Sequence, residues 1–346
     1  MTASAGFTPG DQTDGGITRS SVVLVTGASG FVGSRMATHL RTLGHEVRAT
    51  DIRKPSGEYY QESDFVLADL TSITDASRVC EGITHVFHFA GNPNGTVSVT
   101  RPAWDFQTNA VASMNIFASA IEHGASRVVY ISSGMVYGVP QTSPIRETHV
   151  VDPFIPYAAS KLSGELSALA AHRTYGLDVR IARPFTLYGP GEDHKSSGGE
   201  VGQYLRWHLN SRPIPVVGDP DVKSRDFTHV DDAIRALITI MQYGTAGESY
   251  NVGTGTETSL TELINLIATL SKTQPRTEVD EHSSEDTYRH VADISKLRSL
   301  GYQPRVSIRD GVVELLHELG SRPPLPVLPT LLSSDSGREM NEPITH

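Results

Sequence analysis

The chain has 346 residues, with 39 acidic against 29 basic side chains and a formal net charge of −10, which is long enough for one large α/β unit or two modest domains, each with its own core. No basic run interrupts the acidic balance, so a surface that tracks nucleic-acid phosphates is excluded. The single cysteine, Cys80, rules out an internal disulfide, and no stretch of about 18 apolar residues exists to cross a bilayer, so a reducing cytoplasm is the expected setting.

Residues 1–20 are rich in Gly, Ser, Thr and Asp, lack the basic-then-apolar order of a secretory signal, and read as a mobile tail. "VVLV" (22–25) is a continuous apolar run of the kind shown by a strand buried on both faces. In the segment after it Val32, Met36, Leu40 and Leu43 recur at helical spacing, and Gly44 is a stop. Further strands are expected at 46–50, 64–67, 85–89, 127–132 and 178–182, with helical patterns between most of them. That alternation predicts an α/β fold: a doubly wound parallel sheet of the Rossmann type, with helices on both faces and right-handed crossovers. The dinucleotide unit is placed at 21–183, with 227–255 returning to it, and a smaller mixed α/β lobe at 184–226 and 256–320. Pro323, Pro324, Pro326 and Pro329 prevent a regular helix in 321–346, which reads as an extended tail.

Gly27, Gly30 and Gly33 lie in "TGASGFVG", between the first strand and its helix. Asp51 ends the next strand about 20 residues on, where a carboxylate can accept the ribose hydroxyls of a dinucleotide. The helix N-terminus then offers unpaired N–H groups to the pyrophosphate. Asp51 favours NAD over NADP, because a carboxylate repels a 2′-phosphate, although Arg53 nearby leaves that choice open.

"YAASK" sets Tyr157 and Lys161 four apart, on one face of a helix that opens at the carboxyl edge of the sheet, while Ser133 closes the preceding strand. An alcohol can lose hydride to a nicotinamide only if its O–H proton also leaves, so a base must sit within about 3 Å of that oxygen. Lowering a phenol by about 3 pKa units takes roughly 4 kcal/mol, which the Lys161 ammonium and a positive nicotinamide ring are expected to supply together. Ser133 would hydrogen-bond the same oxygen. His85 and His88 lie on a strand and no set of residues has metal-ligand spacing, so no metal is expected.

These segments, with "ADL" at 68–70, "HFAG" at 88–91, Asn109, "SSGMVYG", "RPFTLYGPG", "RDFTHVDD" and "NVGTG", resemble the extended short-chain dehydrogenases/reductases from about Val22 to Leu319, in particular their NAD-dependent nucleotide-sugar epimerases and dehydratases. The resemblance implies a cofactor site formed by Gly27, Ser29, Gly30, Phe31, Val32, Gly33, Asp51, Ile52, Asp69, Leu70, Phe89, Ala90, Gly91, Asn109, Ser132, Tyr157, Lys161 and Pro184. It implies a substrate site at Asn94, Ser133, Gly134, Met135, Tyr157, Thr186, Val216, Arg225, Asp286 and Arg289. In the family's 4,6-dehydratases an Asp-Glu pair follows the position of Ser133; here Gly134 and Met135 stand there, and neither transfers a proton. The reaction implied is epimerisation at C4 of a nucleotide-diphospho-sugar. A dehydratase, decarboxylase or reductase drawing on Glu192, Asp193 or His194 is the alternative. Thr186 replaces a frequent Asn, and Ser283 replaces a second diphosphate arginine, which leaves the diphosphate to be held with Arg289, with His282, or less tightly. Members of the family often dimerise through a four-helix bundle, so a homodimer is expected from the apolar stripes of residues 102–124 and 157–176.

Overall fold

The computed structural model describes residues 16–18, 20–55, 65–194, 199–280 and 288–326. Strand β1 (Val22–Thr26) leads through helix α1 (Phe31–Thr42) to β2 (Glu46–Asp51) and β3 (Phe65–Leu67). Helix α2 (Ile73–Cys80), whose first turn Ser72 caps, then precedes β4 (His85–His88). Two short helices follow, α3 (Gly95–Thr100) and α4 (Pro102–Phe106), and a π-helical turn at 107–111 joins α4 to α5 (Ala112–Glu122). Strand β5 (Arg127–Ile131) and the long α6 (Pro156–Tyr175) complete this stretch. Pro156 occupies the first turn of α6, where its missing N–H is no loss, and Gly176 ends the helix at φ 74°.

Strand β6 (Val179–Pro184) is followed by β7 (Thr186–Tyr188), α7 (Glu200–Leu209), β8 (Ile214–Val217), β9 (Ser224–Arg225) and β10 (Phe227–His229). Then come α8 (Val230–Tyr243), β11 (Ser249–Val252), β12 (Thr258–Ser259), α9 (Leu260–Ser271), β13 (Thr277–Asp280), β14 (Arg289–His290), α10 (Ser295–Arg298) and α11 (Ile308–Leu319).

Seven strands form one parallel sheet in the order β11-β6-β5-β4-β1-β2-β3, so the connection reverses direction between β1 and β4. In such a sheet the crevice at the carboxyl ends of those two strands is where ligands bind. The period-2 alternation of β1 separates two cores: Val23 and Val25 pack with Met36, Leu40, Leu237 and Ile240, whereas Leu24 packs with Val79, Ile116, Phe117 and Ala168 on the other face. Each such buried aliphatic side chain contributes about 1.5–3 kcal/mol. The last strand, β11, comes from residues 249–252 and pairs with β6, in the register Tyr250 to Ala182.

A third cluster, including Tyr188, Leu205, Val216, Phe227, Leu263 and Leu315, lies under small separate sheets: β10-β7, β12-β9-β14 and β13-β8. Residues 321–326 form no helix, and the carbonyls of Pro323 and Pro324 accept from Asn210 and Arg206. Most of the expected N-terminal tail and everything beyond 326 lie outside the described residues. No helix among the described residues is long and apolar enough to cross a membrane.

Continuous helical spacing across 102–122 is interrupted by the π-helical turn. The cause is local. The Thr108 hydroxyl donates to the carbonyls of Trp104 and Asp105, and the Ser113 hydroxyl to that of Asn109, so side chains compete for acceptors the regular ladder would use.

Candidate active site

The turn between β1 and α1 is shaped by close backbone approach. Gly27 sits at φ 66°, and a Cβ there would lie 2.8 Å from the Ala90 nitrogen; a Cβ on Gly33 would lie 2.2 Å from the Gly27 carbonyl oxygen. No side chain caps α1 at Gly30, so the first-turn N–H groups of Phe31 and Val32 are left for an anion. Asp51, at the end of β2, accepts from the Ser29 N–H at 3.1 Å and the Arg53 N–H at 3.2 Å, which fixes its carboxylate at the rim of this turn. Ile52 beside it is 58% exposed, an apolar surface at the same rim. Asp69 is exposed, with its carboxylate turned onto the N–H and hydroxyl of Thr71, and Leu70 is buried. Phe89 and Ala90 continue β4, the Ala90 N–H donating to Thr26 Oγ1 at 3.0 Å. Ser132 Oγ is buried and has no hydrogen-bond partner. Pro184 closes β6 in register with Val252. A glycine cradle, an uncapped helix start, a fixed carboxylate and an orphaned hydroxyl together fit a dinucleotide.

Ser133, Tyr157 and Lys161 come together. The Tyr157 hydroxyl faces Ser133, whose influence favours the phenolate. Ser133 Oγ accepts from the Met135 N–H at 3.2 Å, and the Lys161 Nζ, on a residue 4% exposed, donates to the Ile131 carbonyl at 3.0 Å. The start of α6 is pinned by the Tyr157 N–H donating to Ser98 Oγ at 2.9 Å. Burial pushes Lys161 down to about 8, opposed by the charge of Asp105.

Gly134 and Met135 begin a tight turn after Ser133. His290 Nε2 donates to the Gly134 carbonyl at 3.1 Å, and a Cβ on Gly134 would meet the His290 ring at 2.8 Å. That ring also stacks on Phe185 at 4.4 Å, and Met135 Sδ lies 4.0 Å from the Tyr288 hydroxyl. The space a side chain at 134 would need is filled by imidazole.

Arg225 is buried, with Nε on Glu200 Oε1 at 3.1 Å and its carbon 5.0 Å from the centre of the Tyr288 ring. Thr186 opens β7, half-buried against Gly199. Three more of the residues expected at the substrate are placed as follows. Arg289 precedes His290 on β14 and therefore takes the opposite face, where it is exposed and forked onto Glu257 at 2.5 and 2.6 Å. Val216 is 1% exposed and packs within the third hydrophobic cluster. Asn94 is buried, and its carboxamide oxygen is used to cap α3 through the N–H groups of Thr96 and Val97. Asp286, His282 and Ser283 lie outside the described residues.

Residues 23–253 match the model of the NAD dependent epimerase/dehydratase family. The chain belongs to that family. NAD is accordingly its cofactor. It is 32% identical over 303 residues to a UDP-glucose 4-epimerase of Mycolicibacterium smegmatis, covering 84% of this chain and 96% of the other. It is equally 32% identical, over 310 residues, to a dTDP-glucose 4,6-dehydratase of Streptomyces niveus, covering 84% and 90%. Among solved structures, the UDP-glucose 4-epimerase of Thermotoga maritima, determined with UDP-glucose, superposes with a TM-score of 0.81 at 27% identity, over 86% of this chain and 98% of that one. Family membership is therefore settled on grounds that leave epimerase and dehydratase level.

Three influences act on Tyr157 in the folded protein. Burial raises its pKa and Asp105 raises it further, against the lowering effect of Ser133. Lys161 alone does not reverse burial. Asp105 was missed from the sequence, although its spacing of four from Asn109 places both on one helical face.

His88 is bonded at Nδ1 to Thr26 Oγ1 at 2.8 Å and at Nε2 to Ser113 Oγ at 3.0 Å. Burial pushes its pKa down to about 3, and that of His290 down to about 4. The unfolded chain takes up protons at both sites below pH 6.5 and the fold does not until pH 4 or lower, so stability is complete above pH 6.5 and lost as pH falls. A loss of about 4 kcal/mol between pH 7.5 and pH 5 is expected from the pair, read as the urea midpoint across that range.

Proposed function

We propose that the chain epimerises a nucleotide-diphospho-sugar at C4. The observation that carries this reading is the position after Ser133, where Gly134 and Met135 carry no proton-transferring side chain and the His290 imidazole beside Gly134 is committed through Nε2 to the Gly134 carbonyl, its pKa pushed down to about 4 by burial. Oxidation of a sugar hydroxyl and its reversal need only the Ser133, Tyr157 and Lys161 set. Bound at the β1–α1 turn, NAD supplies the acceptor and donor of hydride and a positive ring beside the phenol. Tyr157 takes the proton from the C4 hydroxyl and returns it, Ser133 holds the same oxygen, and Lys161 keeps positive charge beneath the phenol. Gly27, Gly30 and Gly33 admit the pyrophosphate, and Asp51 accepts the ribose hydroxyls. Arg225, braced by Glu200, is assigned to the substrate diphosphate.

Glu192, whose carboxyl burial raises to about 8, is bonded to the Gly189 N–H at 2.9 Å and wedged against Gly202, which gives it a structural task. A homodimer is part of the proposal: Phe106, Val111, Met114 and Leu166 are exposed on α4 to α6 and form the apolar surface a second copy would cover.

Purified protein given UDP- and dTDP-hexoses in deuterium oxide is expected to interconvert C4 epimers without added cofactor and without deuterium at C5, and to sediment at twice the chain's mass. A product lighter by water or carbon dioxide would overturn the epimerase reading.

A further inference from the structure

Behind the reacting groups, α4 holds a carboxylate that the proposed chemistry does not use. Asp105 is 0% exposed. Its Oδ1 accepts from Asn92 Nδ2 at 2.7 Å and Asn109 Nδ2 at 3.0 Å, and its Oδ2 from the Ser160 hydroxyl at 2.6 Å. All three partners are neutral donors, and a carboxyl that only accepts is bonded as an ionised carboxylate is. Taking such a charge out of water with no cation in contact is unfavourable by several kcal/mol, so its retention points to a task for the charge.

The geometry shows where that charge acts. Ser160 stands between Tyr157 and Lys161 on α6, and its hydroxyl lies 2.9 Å from the Tyr157 carbonyl as well. The Asn109 carboxamide and Lys161 Nζ converge on Gly91, whose Cβ position would lie 2.3 Å from the first and 3.6 Å from the second. Asp105 thus reaches the main chain of Tyr157 through Ser160, and through Asn109 it stands behind the Gly91 position that Lys161 Nζ also faces. The π-helical turn that begins two residues later is a distortion that recurs at functional sites.

We propose that Asp105 is a positioning residue, a buried negative charge that keeps Lys161 an ammonium beside Tyr157 and, through Ser160 and Asn109, fixes the turn of α6 that carries both. The inference rests on the assignment of Tyr157 and Lys161 as the reacting pair. The other titratable groups facing Lys161 are neutral: His88 on β4, held uncharged by burial, and Tyr130 on β5, whose ring centre is 5.6 Å from Nζ and whose pKa burial raises. Glu165, one turn along α6, is committed to Arg183 at 2.6 Å. The charge of Asp105 raises the pKa of Lys161 and also that of Tyr157, so its removal lowers both.

Asp105→Asn keeps the shape and one acceptor oxygen for the two carboxamides, while Ser160 retains the Tyr157 carbonyl as acceptor. The pH profile of kcat for sugar interconversion, measured on NAD-loaded protein, is expected to move to lower pH on both limbs. The ratio of kcat at pH 6 to kcat at pH 9 should rise about threefold or more. Asp105→Ser, a second neutral variant, should move it in the same direction. Limbs that stay in place, whatever the height of the profile, would overturn the proposal. So would loss of fold in both variants, which would assign Asp105 to stability alone. Failure of the underlying assignment has a separate sign, full turnover in a Tyr157 variant.

Discussion

Tyr157→Phe is expected to lower kcat by about 10²- to 10⁴-fold while bound NAD and the melting temperature stay close to those of the parent chain. The ring is retained, so the packing at the start of α6 and the Tyr157 N–H bond to Ser98 persist. Only the hydroxyl that faces Ser133 is lost, a change worth about 1 kcal/mol of stability. The proton on the sugar oxygen then has no acceptor aligned with it, and Ser133, an alcohol of ordinary acidity, cannot replace a phenol. Single-turnover kinetics, followed by nicotinamide absorbance, separate this loss from weaker binding. Unaltered turnover would remove Tyr157 from the reaction.

Gly33→Ala is the second large effect expected, and it tests the cradle rather than the chemistry. The added methyl would lie 2.2 Å from the Gly27 carbonyl oxygen and 2.8 Å from its carbon, both backbone atoms with no rotamer to escape into. Helix α1 must therefore move off the turn at β1. Its inner face carries Met36, Ala37 and Leu40, all buried against the sheet, so the shift also loosens that core. A stability loss of about 3 kcal/mol or more is expected from such overpacking, with NAD retained by fewer than about one molecule in ten. Denaturant melts and chromatography of the dinucleotide released from purified protein measure the two effects separately. Full NAD content with an unchanged melt would show that α1 does not seat the cofactor in this way.

The sequence made the first half of this molecule readable because its signals are local. A buried run, three glycines and a carboxylate at the end of the next strand determine the β1–α1–β2 unit within 30 residues, and the YAASK spacing identifies Tyr157, which faces Ser133, and Lys161, which bonds the end of β5. What stayed hidden depends on contacts across long stretches of chain. His290 occupies the side-chain space of Gly134 from 156 positions away. Glu200 pairs with Arg225, because the short β9 strand brings Arg225 to the start of α7. The opposite orientation of Arg289 follows from a two-residue strand that no alternation could announce. Asp105 escaped notice because its partners, Asn92, Asn109 and Ser160, come from three separate segments.

Strand β11 has a consequence for recombining this enzyme with its relatives. Because 249–252 hydrogen-bond alongside β6, the nucleotide-binding half is finished only after the chain has made its first excursion into the other lobe and come back. A fragment cut after Arg183 would carry a naked, apolar sheet border ready to join another copy. Exchanging the residues around that returning strand between relatives therefore needs two junctions, one on each side of it, and a single crossover would sever the sheet from its own edge.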